Sequence, residues 1–186
     1  MSQNSTRVFP VHNNIFKFGV GGLDSTAEQM KTPANMESFT PSFNNTIEEW
    51  FAMDQEGWGS SLMTGKKVAI QFKGKRTIGD PANDYIAGLM LKNGMAAQTQ
   101  FEWTLPDGLK VAFPVTVAVT NNGGGETTNV GALEFEVHSN GKPTVTLPEA
   151  EGETGEETSG ETSGETSGET SGDTTGEETN ENQGGN

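Results

Sequence analysis

No cysteine occurs in the 186 residues, so a disulfide framework and a thiolate metal site are both excluded. Histidine is almost as scarce. His12 and His138 lie far apart in sequence and neither belongs to a ligand spacing, which leaves no metal motif and no acid–base pair built on imidazole. The chain has no run of about 18 apolar residues that could span a bilayer, so no membrane partner is expected. Its first residues, MSQNSTRVFPVHNN, lack the basic stretch and apolar core of a secretory signal. Without a secretion route, Asn4-Ser5-Thr6 and Asn44-Asn45-Thr46 are chance glycosylation patterns. The expectation is a protein kept in the cytoplasm where it is made until something assembles it. Gly65-Lys66 comes nearest to a phosphate loop and fails: Gly59 is one residue too distant, Lys67 stands where Ser or Thr is required, and a strand pattern follows instead of a helix. No cofactor and no enzymatic activity are expected.

Bases are missing from one whole end. Residues 149–186 hold 12 of the 26 acidic residues and no lysine or arginine, so the 14 acids and 11 bases before them leave a body at only −3 of the total −15. Within that end, Gly160-Glu161-Thr162-Ser163 recurs as a four-residue unit through Ser171. A segment with so little apolar surface cannot offset the entropy of ordering, and it reads as a disordered acidic tail. The domain boundary is therefore expected at 148.

What is abundant in the body is two-residue alternation. After a polar arm over 1–14, Ile15, Phe16, Phe18 and Val20 suggest a first strand; Met36 to Phe43, interrupted by Pro41, suggests a short edge strand. Ala97, Thr99, Phe101, Trp103 and Leu105 alternate with polar residues. Pro106-Asp107-Gly108 supplies a tight turn, and Leu109, Val111, Phe113, Val115, Val117 and Val119 return in the same period. Pro114 inside that second arm predicts a bulge or an edge. Leu133, Phe135 and Val137 form a further strand after the loop NNGGGETTN, and Asn140-Gly141 is read as a turn into Pro143–Leu147. Six to eight strands with one helix predict a mainly β domain, sandwich or barrel.

The stretch from Glu48 to Leu91 organises the rest. Trp50 and Trp58 flank a turn containing Asp54, Gln55, Glu56 and Gly57, and aromatics so placed anchor a core or an interface. Val68, Ile70 and Phe72 alternate with Lys67, Gln71 and Lys73. Asp80 as N-cap, Pro81 at the first helical position and the stripe Ala82, Ile86, Leu89, Met90 predict a helix over about 80–92, stopped by Asn93-Gly94. In this order, Glu48-Glu49-Trp50, the turn into Gly57-Trp58, Met63-Thr64-Gly65-Lys66, the strand, Gly74-Lys75-Arg76 and Gly79-Asp80-Pro81-Ala82-Asn83-Asp84-Tyr85, the chain resembles the major tail tube protein of long-tailed, siphovirus-type bacteriophages. The likeness extends more loosely from Val8 to Leu147.

The resemblance implies a β-sandwich or split-barrel tail tube fold with one flanking helix, and a structural virion protein. Its subunits would form hexameric rings that stack with other tail proteins into a tube, through which DNA passes without specific binding. It also implies that Gly21–Asn35, a long polar loop carrying Asp24 and Lys31, stacks one ring on the next. Trp50, Trp58, Lys73, Lys75 and Arg76 are the further candidates for contact between subunits, the cations meeting an acidic neighbour. Glu134 and Glu136 alternate with the core residues of their strand, so with Glu102 they are candidates to face the lumen. The competing reading is a monomeric β-sandwich binding module, an adhesin or carbohydrate-binding domain, because sandwich folds host many functions.

Overall fold

Alternating side chains need one apolar face covered, and the chain meets that need by rolling a single sheet over its own aromatic residues. The computed structural model describes residues 7–148; the proposed acidic tail lies outside the described residues. The strands are β1 (Ile15–Gly19), β2 (Met30–Lys31), β3 (Met36–Phe51), β4 (Gly59–Lys75), β5 (Gln98–Thr104), β6 (Lys110–Asn122), β7 (Ala132–Ser139) and β8 (Thr144–Thr146), with one helix, α1 (Pro81–Gly88), after β4. All pairings are antiparallel, in the order β2-β1-β5-β6-β7-β4-β3, with β8 beside β6.

The sheet curls far enough that β1 and β3, near its two ends, touch. Phe16 and Phe39 meet edge-on with centroids 4.6 Å apart, and Trp103 of β5 packs against both. Phe18, Phe72, Phe101 and Phe135 fill the middle, with Phe72 stacked on Phe135 at 5.0 Å. Ile86 and Ala87, with Leu89 just past the helix end, bring α1 into the same cluster. This is a mainly β domain with one flanking helix.

The expected β5–β6 hairpin is present, closed by Leu105 N–H on the Leu109 carbonyl at 2.8 Å, with Gly108 at φ 86° in its turn. Three boundaries differ from expectation. First, α1 is shorter than 80–92: its N-terminus is the one read from Asp80 and Pro81, but the helix ends at Gly88 and Met90 is half exposed. Second, Asn140-Gly141 makes no hairpin. β7 and β8 run one after the other along the same side of β6, pairing through Val115↔Ser139 and Ala112↔Thr144. Asn140 N–H reaches the Pro114 carbonyl at 2.9 Å. A residue's N–H and C=O point to the same side of a strand, so the donor that proline lacks faces this side. The returning pair cannot form, and the chain bulges there. Third, β3 does not stop at Phe43 but runs on to Phe51. Pro41 sits opposite Ile70 in a strand with a single neighbour, where a missing donor is tolerated.

Candidate assembly surfaces

The extension of β3 and β4 produces the most exposed feature among the described residues. β4 pairs with β7 only from Ala69 to Lys75, whereas β3 and β4 pair from Met36↔Gly74 out to Phe51↔Gly59. Among the described residues, 44–67 therefore leave the sheet as a two-stranded arm with no third strand. Its turn is a short 3-10 segment, Met53–Gln55, closed by Glu56 at φ 51° and Gly57 at φ 88°. By register, Phe43, Ile47 and Phe51 share one face with Met63. These four side chains are 45–74% exposed. Trp50, Met53, Trp58 and Leu62 are exposed as well. A lone two-stranded ribbon is marginal in water, and a contiguous exposed apolar surface of this kind marks an interaction site.

The arm also divides by charge. Glu48, Glu49, Asp54 and Glu56 lie toward its tip with no lysine or arginine among residues 44–65; Lys66 and Lys67 stand at its root. Beside that root, the bulge between β7 and β8 brings Lys142 up to form a groove with Ser139, Gly141, Pro143 and Val145.

Segment 21–35, by contrast, lies against the body. Gln100 Nε2 donates to the Leu23 carbonyl at 2.8 Å, Thr99 Oγ1 reaches the Gly22 carbonyl at 3.4 Å, and Thr26 with Gln29 forms a capping box. Its end is held by Ala34 N–H on Asp80 Oδ1 and by Asn35 Nδ2 on Thr77 Oγ1. Asp24 and Lys31 remain on its exposed side.

The three cations singled out from sequence fare differently. Arg76 is held inside the subunit: one nitrogen sits 2.6 Å from Asp84 Oδ1 and another donates to Asn83 Oδ1 at 2.8 Å and to the Thr77 carbonyl at 3.0 Å. That hydrogen bond from Arg76, with a second from Gly79 N–H, holds the Asp84 carboxyl below its ordinary 3.8. Asn83 is wholly buried and is the hub of this network. It accepts from Thr77 N–H at 3.0 Å and donates to the carbonyls of Lys75 and Ala34, tying the end of β4 to α1 and to segment 21–35. Sequence reading took Asn83 only as part of a motif; its signal was a polar residue on the apolar stripe of a helix. Lys75 pairs with Glu37 at 3.5 Å, and Lys73 lies directly across from Glu134.

Glu102, Glu134 and Glu136 do share one face, the side of the sheet turned away from the aromatic core. They are not alone on it. Register places Lys17, Lys73, Lys75 and Lys110 there too, and Glu37 beside Lys75. Glu102 lies between Lys17 at 3.6 Å and Lys110 at 3.5 Å, and Glu136 is 3.7 Å from His138. Four lysines thus face four glutamates, where the sequence pattern singled out only Glu102, Glu134 and Glu136.

No protein-family model matches the chain, and no curated protein matches it in sequence. Solved structures do match in fold. A chain from the tail of an empty gene transfer agent particle, refined with C6 helical symmetry, superposes with a TM-score of 0.61 at 17% identity, covering 75% of this chain and all of its own. A chain from the virion of a native gene transfer agent particle gives 0.58 at 17% identity, with the same coverages. At that identity the superposition establishes the fold alone: the chain has the fold of a chain from the tail of a gene transfer agent particle.

Proposed function

We propose that this protein is a structural subunit that polymerises into the tube of a virion tail, the conduit for genome passage into a host. The arm carries this reading. A subunit that worked alone would gain nothing from a projecting ribbon of bare aromatic and aliphatic side chains, whereas a second copy can cover it. The contact is between unlike surfaces, and such contacts make rings when the rotation closes and stacks or filaments when it does not. The C6 symmetry of the fold neighbour's tail supports rings of six here as well.

We assign the contact between successive copies chiefly to the arm, with Trp50 and Trp58 at its tip. Segment 21–35, with Asp24 and Lys31, is anchored to the body along its length, so it supplies a fixed surface, not a reaching one. The face bearing Glu102, Glu134 and Glu136 is assigned to the lumen. DNA carries a negative charge every 1.7 Å or so of duplex axis; a wall of balanced charge neither holds nor strongly repels it, and the duplex slides. Before assembly the subunit resides in the cytoplasm of the host.

The reading is tested by light scattering and negative-stain microscopy of the purified protein across concentration. Rings or tubes that grow with concentration support it. A monomer at every concentration contradicts it and favours the binding-module reading.

A further inference from the structure

The arm's tip and its root are chemical opposites. Around the tip are Glu48, Glu49, Asp54 and Glu56 with Trp50, Phe51 and Trp58, and no base lies within that stretch. At the root, Lys66, Lys67 and Lys142 line the groove with no acid among its lining residues, and Phe43 and Val145 lie exposed at 61% and 56%. Among the described residues none of these three lysines has an acidic partner within ion-pair distance, whereas Lys75 and Arg76 at the other end of β4 are both paired. Unpaired lysines beside exposed apolar surface suit an acidic, aromatic ligand.

We infer that the tip of the arm docks in the root groove of a second copy of the same chain. The arm cannot satisfy its own groove. Eight residues of β3, Asn44 to Phe51, separate the two along a paired ribbon, a span of about 26 Å at roughly 3.3 Å per residue. The contact is therefore intermolecular, and it repeats: the copy whose groove is filled still presents its own tip. Apolar burial of Trp50 and Trp58 supplies affinity, while the four carboxylates against three ammonium groups fix which end meets which. This rests on the polymerisation proposed above and adds the two surfaces that meet.

Two charge-reversed chains test it. One carries Glu49→Lys, Asp54→Lys and Glu56→Lys; the other carries Lys66→Glu, Lys67→Glu and Lys142→Glu. All six side chains are exposed, so each variant keeps the native circular dichroism and thermal unfolding. Each alone assembles more weakly by on the order of tenfold or more, because like charges now meet at every junction. Mixed in equal amounts, the two restore assembly, since the reversed tip of one fits the reversed groove of the other and the two unchanged surfaces fit in turn. Variants that assemble like the native chain, or a mixture no better than its components, overturn the docking while leaving native polymerisation in place. A native chain that never polymerises contradicts both.

Discussion

Asn83 shows how one buried polar residue fixes the junction of strand, helix and segment. Its amide oxygen takes hydrogen bonds from Arg76 and Thr77, and its amide nitrogen gives them to two main-chain carbonyls. Removing one partner of a buried hydrogen bond costs about 1–3 kcal/mol, and several are lost together here. Asn83→Ala is expected to destabilise the domain by roughly 2–4 kcal/mol in urea unfolding; a loss under half a kcal/mol would show that water replaces the amide. Asp84, in the same network, gives a pH signature. Its pKa is depressed in the folded state, so its contribution is fully present above the unfolded value near 3.8 and is lost as pH falls through the folded value. The unfolding midpoint should therefore drop on acidification below about pH 4, and drop less in Asp84→Asn. Equal pH profiles for the two proteins would mean the Arg76 contact carries no stability.

At the scale of elements, the sequence was legible wherever a face is buried. Phe101 and Trp103, Val111 to Val119, and Leu133 to Val137 alternate because a core lies on one side of each strand, and the hairpin turn at Gly108 follows from its positive φ. The outer half of β3 was illegible for the converse reason. From Asn44 to Phe51 neither face is buried, so no alternation marks the run as strand and the expected strand stops at Phe43. Trp50 and Trp58 stand out as a pair, but a core and an interface leave the same mark in sequence. Likewise the four-residue run from Leu89 to Lys92 looked helical although only Leu89 reaches the core. Because the arm contributes nothing to the core cluster, replacing Ile47–Met63 with a two-residue Asn-Gly turn should leave a folded domain that no longer polymerises. Tubes from that variant would take the arm out of assembly. Phe72→Ala is its counterpart: that ring packs against Phe16, Phe18, Phe101 and Phe135, and its loss should cost about 3–5 kcal/mol of folding stability.

For the whole molecule, the chain has two kinds of surface with two roles. Under the proposed assembly the arm and its root groove would be the unlike surfaces that join copies, and the charge-balanced face of the sheet would be the one left to meet a passing polyanion. Adding charge to that face should change its behaviour toward DNA. With Glu134→Lys and Glu136→Lys, assembled tubes should bind duplex DNA with a steep salt dependence that native tubes lack, and unchanged binding would place both residues outside the channel. The most direct test of the whole account is a helical reconstruction, by electron microscopy, of the polymer formed by the purified full chain. The account predicts a hollow tube in which each arm lies buried against another copy and the face bearing Lys17, Glu102, Glu134 and Glu136 lines the lumen. Tubes whose arms stand free in solvent, or a sample that holds only monomers, would contradict it.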